Sequence, residues 1–217
     1  MKFLLWIAIS VGAYFLGNFS TGVIVGRAFG NIDIRKTGSG NAGTTNIMRT
    51  LGWLPSVLTL AGDTLKAFIA VKLGRWIGGD AGGYIAGIAV LLGHNWPVLF
   101  DFKGGKGMAC SLGIILANEP WLALALLALQ VVIVGLTRYM SVASICTAVA
   151  YPIIVALCHG DNAGYIVFAL VMCLLALFCH RANIARLLNH TENRLDFSKI
   201  SKLSGKLHAK RREKNGQ

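Results

Sequence analysis

Long apolar segments dominate this sequence and constrain its fold more than any other feature. They span roughly residues 3–26, 52–73, 80–100, 107–118, 120–137, 139–158 and 163–180. A helix needs about 20 apolar residues to cross a bilayer core of about 30 Å, so only the fourth segment is short; it is expected to be tilted, buried in the bundle or partly spanning. Charged residues make up 14% of the chain, against about 25% in soluble domains. The sequence therefore predicts an all-α integral membrane protein, a seven-transmembrane-helix bundle.

The distribution of positive charge predicts the orientation of this bundle. With the N-terminus outside (periplasmic), the inside segments are residues 27–51, 101–106, the turn at 138 and the chain from 181 onward. These segments carry 17 of the 21 lysines and arginines, which the positive-inside rule strongly favours. The C-terminus is then cytoplasmic. We expect a membrane domain over residues 1–197 and a basic cytoplasmic tail over residues 198–217. The part from Lys199 to Gln217 is expected to be exposed near anionic headgroups.

Net charge and cysteine spacing exclude two other classes of protein. The net charge of +12 does not indicate nucleic-acid binding, because the charges avoid the apolar segments and collect in loops and the tail. The five cysteines follow no CxxC spacing, and most lie in or next to apolar segments. They are interpreted as small buried apolar residues. We therefore expect no nucleic-acid partner, no disulfide framework and no metal site.

A loop rich in glycine, hydroxyl and amide groups is the first motif that carries chemistry. Residues 38–49 read GSGNAGTTNIMR. Short hydroxyl and amide side chains donate hydrogen bonds to oxyanions, and an arginine can bind a phosphate through two parallel N–H groups. The alternative is a flexible polar connector between two helices. The density of Asn, Gly and Thr, closed by an arginine, favours an anion site.

A second loop combines glycines with two lysines directly after an apolar segment. Residues 93–107 read GHNWPVLFDFKGGKG. Glycines allow backbone N–H groups to approach a ligand closely and lysines add positive charge, a combination that favours phosphate binding. Lys106 is followed by Gly107 rather than by Ser or Thr, so the loop is not a nucleotide-binding P-loop. The alternative is a loop whose charge only sets the topology, but its three glycines within four residues favour a bound ligand.

Two further polar motifs lie at the boundaries of later apolar segments. Residues 138–144 read RYMSVAS, which alone is also ordinary for the start of a membrane helix. Residues 180–188 read HRANIARLL, where His180 and Asn183 share one helix face and Arg186 extends it. All four motifs fall on the predicted cytoplasmic side, which indicates a single site at that surface.

Two charges within the second apolar segment are interpreted as structural. Asp63 and Lys66 lie three residues apart. Because charges inside a membrane are costly, they are expected to face the bundle interior and to pair with each other. His94 and Trp96 are likewise interpreted as supports for the glycine-rich loop that follows them.

Together the four motifs resemble those of the bacterial acyl-phosphate:glycerol-3-phosphate acyltransferase family, the PlsY type. The family pattern is similar to GSGNxGATN…R, GHxFPVFxxFKGGKG, a serine-containing third loop and HRxNIxRLLxGTExK, and here order and spacing agree over residues 1 to about 196. The resemblance implies a seven-helix protein of the bacterial plasma (inner) membrane with a cytoplasmic active site. It implies transfer of an acyl group from acyl phosphate to the 1-hydroxyl of glycerol 3-phosphate, giving lysophosphatidic acid and phosphate without cofactor, metal, acyl-CoA or covalent acyl-enzyme.

The resemblance also implies which residues form the site. Catalytic roles are expected for Ser39, Arg49, Lys106, His180 and Asn183. The substrate-binding set adds Lys103, Ser141, Ser144, the amides around Gly104 and Gly105, and the supporting residues Asn41 and Asn46. Departures from the family pattern are Thr44 for Ala, Trp96 for Phe, His190 for Gly and Arg194 for Lys. The expected partners are acyl phosphate, glycerol 3-phosphate and the lipid bilayer; the oligomeric state is left open, and a monomer suffices.

The proton acceptor and the rival functions remain open at the level of sequence. His180 can act as a general base, or the phosphate of glycerol 3-phosphate can accept the hydroxyl proton itself, as the family resemblance suggests. The runner-up function is a transporter of phosphate or an organic phosphate, and a membrane scaffold is a third. Transport predicts motifs near the midplane and broken helices, whereas these motifs lie on one face.

Overall fold

The protein is helical throughout the part that the structure describes. The structure is a computed structural model that describes the backbone of residues 2–214 and the side chains of residues 3–205. The α-helices are α1 (Lys2–Asn18), α2 (Thr21–Gly30), α3 (Thr44–Leu51), α4 (Trp53–Asn95), α5 (Met108–Asn118), α6 (Pro120–Thr137), α7 (Met140–Cys158), α8 (Ala163–Cys179), α9 (Arg181–Leu188) and α10 (Phe197–Lys214). The prediction of an all-α protein is confirmed over these residues.

The long helix α4 folds back on itself at a pair of glycines. Gly78 and Gly79 leave helical geometry, and Gly79 has a φ of +63° that glycine adopts without strain. The backbones on either side then meet, since a Cβ added to Gly74 would lie 2.5 Å from the carbonyl oxygen of Gly82. The two halves of α4 are therefore antiparallel neighbours. They match the second and third predicted segments, 52–73 and 80–100, except that the helix ends at Asn95.

The later helices follow the predicted segments closely, whereas the first segment does not form one helix. Helices α6, α7 and α8 begin and end within a few residues of the predicted bounds, and α5, at 11 residues, is the short fourth segment. The first segment, 3–26, breaks between α1 and α2. Among the residues that the structure describes, four helices are long and apolar enough to cross a membrane, or five if the bent pair of α8 and α9 counts as one span. These helices do not by themselves establish seven spans.

The bundle has an apolar core and an apolar outer surface. Val71 and Val90 of α4, Ile114 of α5 and Phe168 of α8 are among its buried side chains. Large apolar side chains also cover the outside, as at Leu157, which is 80% exposed. A soluble protein rarely exposes so much apolar surface. Burial on both faces, one in protein and one in lipid, explains why the helices are apolar all round.

The C-terminal helix α10 packs against the bundle through its first turns. Ile200 is 2% exposed and lies in a cluster with Met48 of α3 and Leu195. The ring of Phe197 stacks on Trp53, with ring centroids 6.3 Å apart. The expectation of an exposed segment from Lys199 onward is therefore wrong at Ile200, because an apolar side chain there completes a small cluster. The boundary at residue 197 stays a prediction.

Candidate active site

The four sequence motifs meet at one end of the bundle. The backbone N–H of Ala42 in the first motif donates to the carbonyl oxygen of Gly104 in the second at 3.3 Å. Lys106 of the second motif donates to Asn183 of the fourth. Ser141 of the third donates to Glu192 at 3.0 Å. Loops that are far apart in sequence therefore build one site.

Asn46 organises the loop of the first motif. Its side-chain amide donates to the carbonyl oxygens of Thr37 and Asn41, both at 2.9 Å, and its Oδ1 accepts from the backbone N–H of Ser39 at 3.0 Å. The side chain is 2% exposed. These bonds use most of its hydrogen-bonding capacity, so the geometry favours the supporting role. Ser39, by contrast, is exposed at the mouth of the site.

A buried polar cluster supports the glycine-rich loop from below. Lys66 forms an ion pair with Asp63 at 2.8 Å, which confirms the predicted pairing, and its ammonium lies 3.1 Å from Nδ1 of His94. The His94 ring lies directly under the loop, since a Cβ on Gly105 would come within 2.0 Å of its Nε2. The backbone N–H of Gly105 also donates to the His94 carbonyl oxygen at 3.1 Å. His94 is thus the predicted support.

The donor atoms of this cluster do not suit a metal ion. Single ligand atoms of Asp63, His94 and Cys110 lie within 4.8 Å of one another. The Lys66 ammonium already lies within hydrogen-bonding distance of both Asp63 and His94. A second cation there would be repelled by that ammonium, so this donor set suits an ion pair.

A methyl group at Gly105 is expected to distort the loop. Because the added Cβ of Gly105→Ala would overlap the His94 ring, the neighbouring N–H groups should shift by about an ångström, and kcat/KM for acyl transfer should fall on the order of 10²-fold. Gly135→Ala is the matched control, since its Cβ meets nothing within 4 Å. Equal activity of the two purified variants would contradict the role given to the loop.

Lys106, Asn183 and Glu192 form the polar centre of the site. Asn183 accepts from the Lys106 ammonium through Oδ1 and donates through Nδ2 to Glu192 at 2.7 Å. Arg186 donates to the other Glu192 oxygen at 2.7 Å. Asn183 and Glu192 are both buried. Because each amide atom of Asn183 has a fixed partner, its orientation and the position of Lys106 are set together.

Glu192 belongs to the candidate site, although the expected site residues did not include it. Its carboxylate accepts hydrogen bonds from Ser141, Asn183 and Arg186. Burial alone would raise the pKa of this carboxyl, but those hydrogen bonds and the Arg186 charge outweigh it and lower the pKa. The signal that could have found it is the glutamate of the family pattern HRxNIxRLLxGTExK, which falls on Glu192.

The site carries excess positive charge. Burial lowers the pKa of Lys106, and the neighbouring Arg186 and Arg49 lower it further. Burial likewise lowers the pKa of Arg49, whose Nε is buried without a hydrogen-bond partner. Three cations face a single carboxylate, that of Glu192. A bound phosphate would stabilise the charged form of Lys106 and offset the repulsion among the cations.

His180 is oriented by the end of α8. Its Nδ1 lies 2.8 Å from the carbonyl oxygen of Ala176. Because a carbonyl oxygen only accepts, Nδ1 carries the proton, and the neutral ring keeps a lone pair on Nε2. Burial lowers the pKa of His180, and the Lys106 charge lowers it further, against a hydrogen bond to Ala176 that raises it. His180 is therefore neutral near pH 7.

Not every expected residue joins this centre. Ser144 is buried one turn beyond Ser141, and its hydroxyl makes no hydrogen bond to the Lys106 cluster within the described residues. The Lys103 side chain is exposed. Asn41 links the two loops by donating to the Gly104 carbonyl oxygen at 3.4 Å. Ser141 reaches the centre only through Glu192.

Comparison with known proteins decides among the functions that this site allows. The sequence profile of the glycerol-3-phosphate acyltransferase family matches residues 7–190. This chain belongs to that family. Membership makes it an enzyme that acylates glycerol 3-phosphate and excludes a transporter or a scaffold as its main role. The family resemblance of the four motifs is thereby confirmed.

Similar acyltransferases match almost the whole chain. A glycerol-3-phosphate acyltransferase of Alkaliphilus metalliredigens is 45% identical over 185 residues, 85% of this chain and 93% of that relative. One of Clostridioides difficile is 43% identical over 201 residues, 90% of this chain and 98% of its own length. The crystal structure of PlsY, an integral membrane glycerol 3-phosphate acyltransferase in its glycerol 3-phosphate form, superposes with a TM-score of 0.84 at 34% identity, covering 90% of this chain and 98% of that one.

Proposed function

We propose that this acyltransferase moves a fatty acyl group from acyl phosphate to the 1-hydroxyl of glycerol 3-phosphate, giving lysophosphatidic acid and inorganic phosphate. One observation carries the proposal: the Lys106 ammonium, fixed by Asn183, lies beside a glycine-rich loop and within a group of cations. Both substrates carry phosphate, so such a centre offsets their mutual repulsion. The similar PlsY structures, in glycerol 3-phosphate and lysophosphatidic acid forms, support the acceptor and the product.

The site has a separate place for each anion. The amides around Gly104 and Gly105, with Lys103 and Lys106, hold the phosphate of the donor. Ser39 and Arg49, with Asn183 and His180, hold glycerol 3-phosphate. Placing the two substrates side by side supplies much of the catalysis, because it removes the entropic cost of bringing them together.

The reaction is a displacement at the acyl carbonyl carbon. The 1-hydroxyl oxygen forms a bond to that carbon, and the bond from carbon to the donor phosphate breaks. Phosphate leaves with the electron pair, and the hydroxyl proton passes to a base. Lys106 stabilises the charge that develops on the departing phosphate.

The stoichiometry of the products tests this reaction. Purified protein given acyl phosphate and glycerol 3-phosphate should release one phosphate for each 1-acyl lysophosphatidic acid formed, and little without glycerol 3-phosphate. Phosphate release that does not depend on glycerol 3-phosphate would contradict the proposed transfer.

The substrate's own phosphate is the stronger candidate for the proton acceptor. A lowered pKa makes His180 a weaker base than free imidazole, and the phosphate of glycerol 3-phosphate carries anionic oxygens that can accept the proton. In this account His180 positions glycerol 3-phosphate by accepting a hydrogen bond at Nε2. His180 then touches the substrate without taking its proton.

Replacing His180 with alanine separates the two mechanisms. We expect KM for glycerol 3-phosphate to rise about three- to ten-fold, as for one lost hydrogen bond, with kcat little changed. The fall in rate on the acid side of the pH profile should remain, since the substrate phosphate still titrates. If kcat instead fell at unchanged KM, and the rate no longer decreased at low pH, His180 would be the base.

We infer that the chain crosses the bacterial inner membrane seven times, with a periplasmic N-terminus and the site on the cytoplasmic face. Dividing α4 at Gly78–Gly79 and counting α5 brings the apolar segments to seven, and the site loops then follow alternate spans. The positive charge of those loops supports this orientation. A membrane-impermeant thiol reagent applied to intact cells should label Asp161→Cys but not Ser198→Cys in a cysteine-free background. The reverse pattern would overturn the orientation.

A further inference from the structure

The C-terminal helix α10 is fixed beside the helix that carries Arg49. Ile200 packs on Met48, the residue before Arg49. A hydrogen bond two turns into α10 also fixes the helix: the backbone N–H of Trp53 donates to Ser204 Oγ at 3.0 Å. The start of α10 is therefore a defined part of the cytoplasmic surface.

A cavity of about 450 Å³ lies between α10 and the loop of the first motif. Ser39 and Arg49 line one side of it, and Arg194 and Lys199 line the other. Three of these side chains are cationic. The cavity therefore continues the proposed glycerol 3-phosphate site out to the basic tail.

The one acid that lines this cavity is already engaged. Asp196 caps the start of α10, where its Oδ1 accepts from the backbone N–H of Lys199 at 3.0 Å and from the Ser198 hydroxyl at 2.8 Å. These hydrogen bonds lower the pKa of the Asp196 carboxyl. The cap also sets the direction in which α10 leaves the loop, and so places Lys199 at the cavity.

The two arginines of the cavity are held in place by hydrogen bonds to neutral partners. Arg194 donates to the Tyr139 hydroxyl at 2.9 Å and lies over its ring. Arg49 donates to the carbonyl oxygen of Asn193 at 3.0 Å, and its Nε, buried, has no partner. Arg49 also faces the Glu192 carboxylate, and Asp196 lies in the cavity. Three cations against one lining carboxylate still leave net positive charge, so the cavity suits an anion.

We infer that Lys199 is a further substrate-binding residue, which α10 brings to the cavity to contact the phosphate of a phosphomonoester. The inference rests on the proposed function. Two ligands share this chemistry, the acceptor glycerol 3-phosphate and the product lysophosphatidic acid. A phosphomonoester carries close to two negative charges at pH 7, so more than one of the three lining cations can contact it. Lys199 lies in the part of the chain beyond the family motifs.

The test compares Lys199→Met with Lys202→Met. Both changes remove one lysine from the exposed part of α10, but Lys202 does not line the cavity. In Lys199→Met we expect KM for glycerol 3-phosphate to rise about five-fold, the upper range for an ion pair open to solvent, with kcat unchanged. High salt should shrink the difference. Lys199→Arg should restore KM, and thermal unfolding temperatures should be equal.

The same variants separate the acceptor from the product. If Lys199 contacts mainly lysophosphatidic acid, the inhibition constant of that product rises while KM for glycerol 3-phosphate stays constant. Wild-type values of both constants in Lys199→Met, or equal shifts in Lys199→Met and Lys202→Met, would overturn the inference. Absence of any turnover dependent on glycerol 3-phosphate in the wild-type protein would overturn the proposed function instead.

Discussion

Lys106→Met is expected to lower kcat for acyl transfer by about 10²–10³-fold, the loss typical when one preorganised charge or donor at a transition state is removed. The Lys106 ammonium is half-buried at the centre of the site and oriented by Asn183. Methionine has a similar length and no charge, so the protein should still fold and insert in the membrane. Turnover of purified protein, together with its thermal unfolding temperature, measures both effects.

Lys36→Met is the control for Lys106→Met. Lys36 is exposed and lies two residues before the first motif, so its loss changes net charge by the same amount without removing an expected site residue. We expect wild-type turnover. Wild-type activity in Lys106→Met would show that Lys106 does not form an anion site. A similar loss in both variants would assign the effect to surface charge.

Glu192→Gln is expected to destabilise the protein as well as inactivate it. The carboxylate, 4% exposed, holds Arg186 at 2.7 Å and accepts from Ser141 and Asn183. Glu192 is buried but the Arg186 side chain is 39% exposed, so loss of this pair costs on the order of 2 kcal/mol. The cost arises because the cations around Glu192 then repel one another. Thermal unfolding in detergent should show a lower midpoint, and added phosphate should restore part of it.

Asp161→Asn is the matched change for Glu192→Gln. It also removes one carboxylate charge, from an exposed turn between α7 and α8, and should leave both unfolding and activity unchanged. If Glu192→Gln unfolded at the wild-type temperature with wild-type KM values, Glu192 would not organise the site as described.

The pattern of apolar segments was enough to predict most of the bundle. The break at Arg138 illustrates the reason: α6 ends and α7 begins around it because its φ of +61° interrupts the helix where the apolar pattern also breaks. The Asp63–Lys66 pair followed from the cost of isolated charges in lipid. Each of these features depends on local sequence.

Features that depend on contacts between residues distant in sequence were harder to predict from the sequence. Lys106 and Asn183 are 77 residues apart. The charge pattern put their motifs on the same side of the membrane, but it could not show that the two side chains meet. Nothing local marks Glu192 as the shared acceptor of three donors or Ile200 as a buried residue in a basic tail. The residue type of Asn46 does not by itself predict its role. An amide in a polar loop can bind a ligand or, as here, hold the backbone of its own loop.

The central claim is that the glycine-rich loop and Lys106 bind the phosphate of an acyl phosphate donor. The most direct test offers purified wild-type protein acyl phosphate, acyl-CoA or acyl carrier protein in turn, each with glycerol 3-phosphate, and measures lysophosphatidic acid. We expect lysophosphatidic acid with acyl phosphate alone. Product with acyl-CoA and none with acyl phosphate would contradict it.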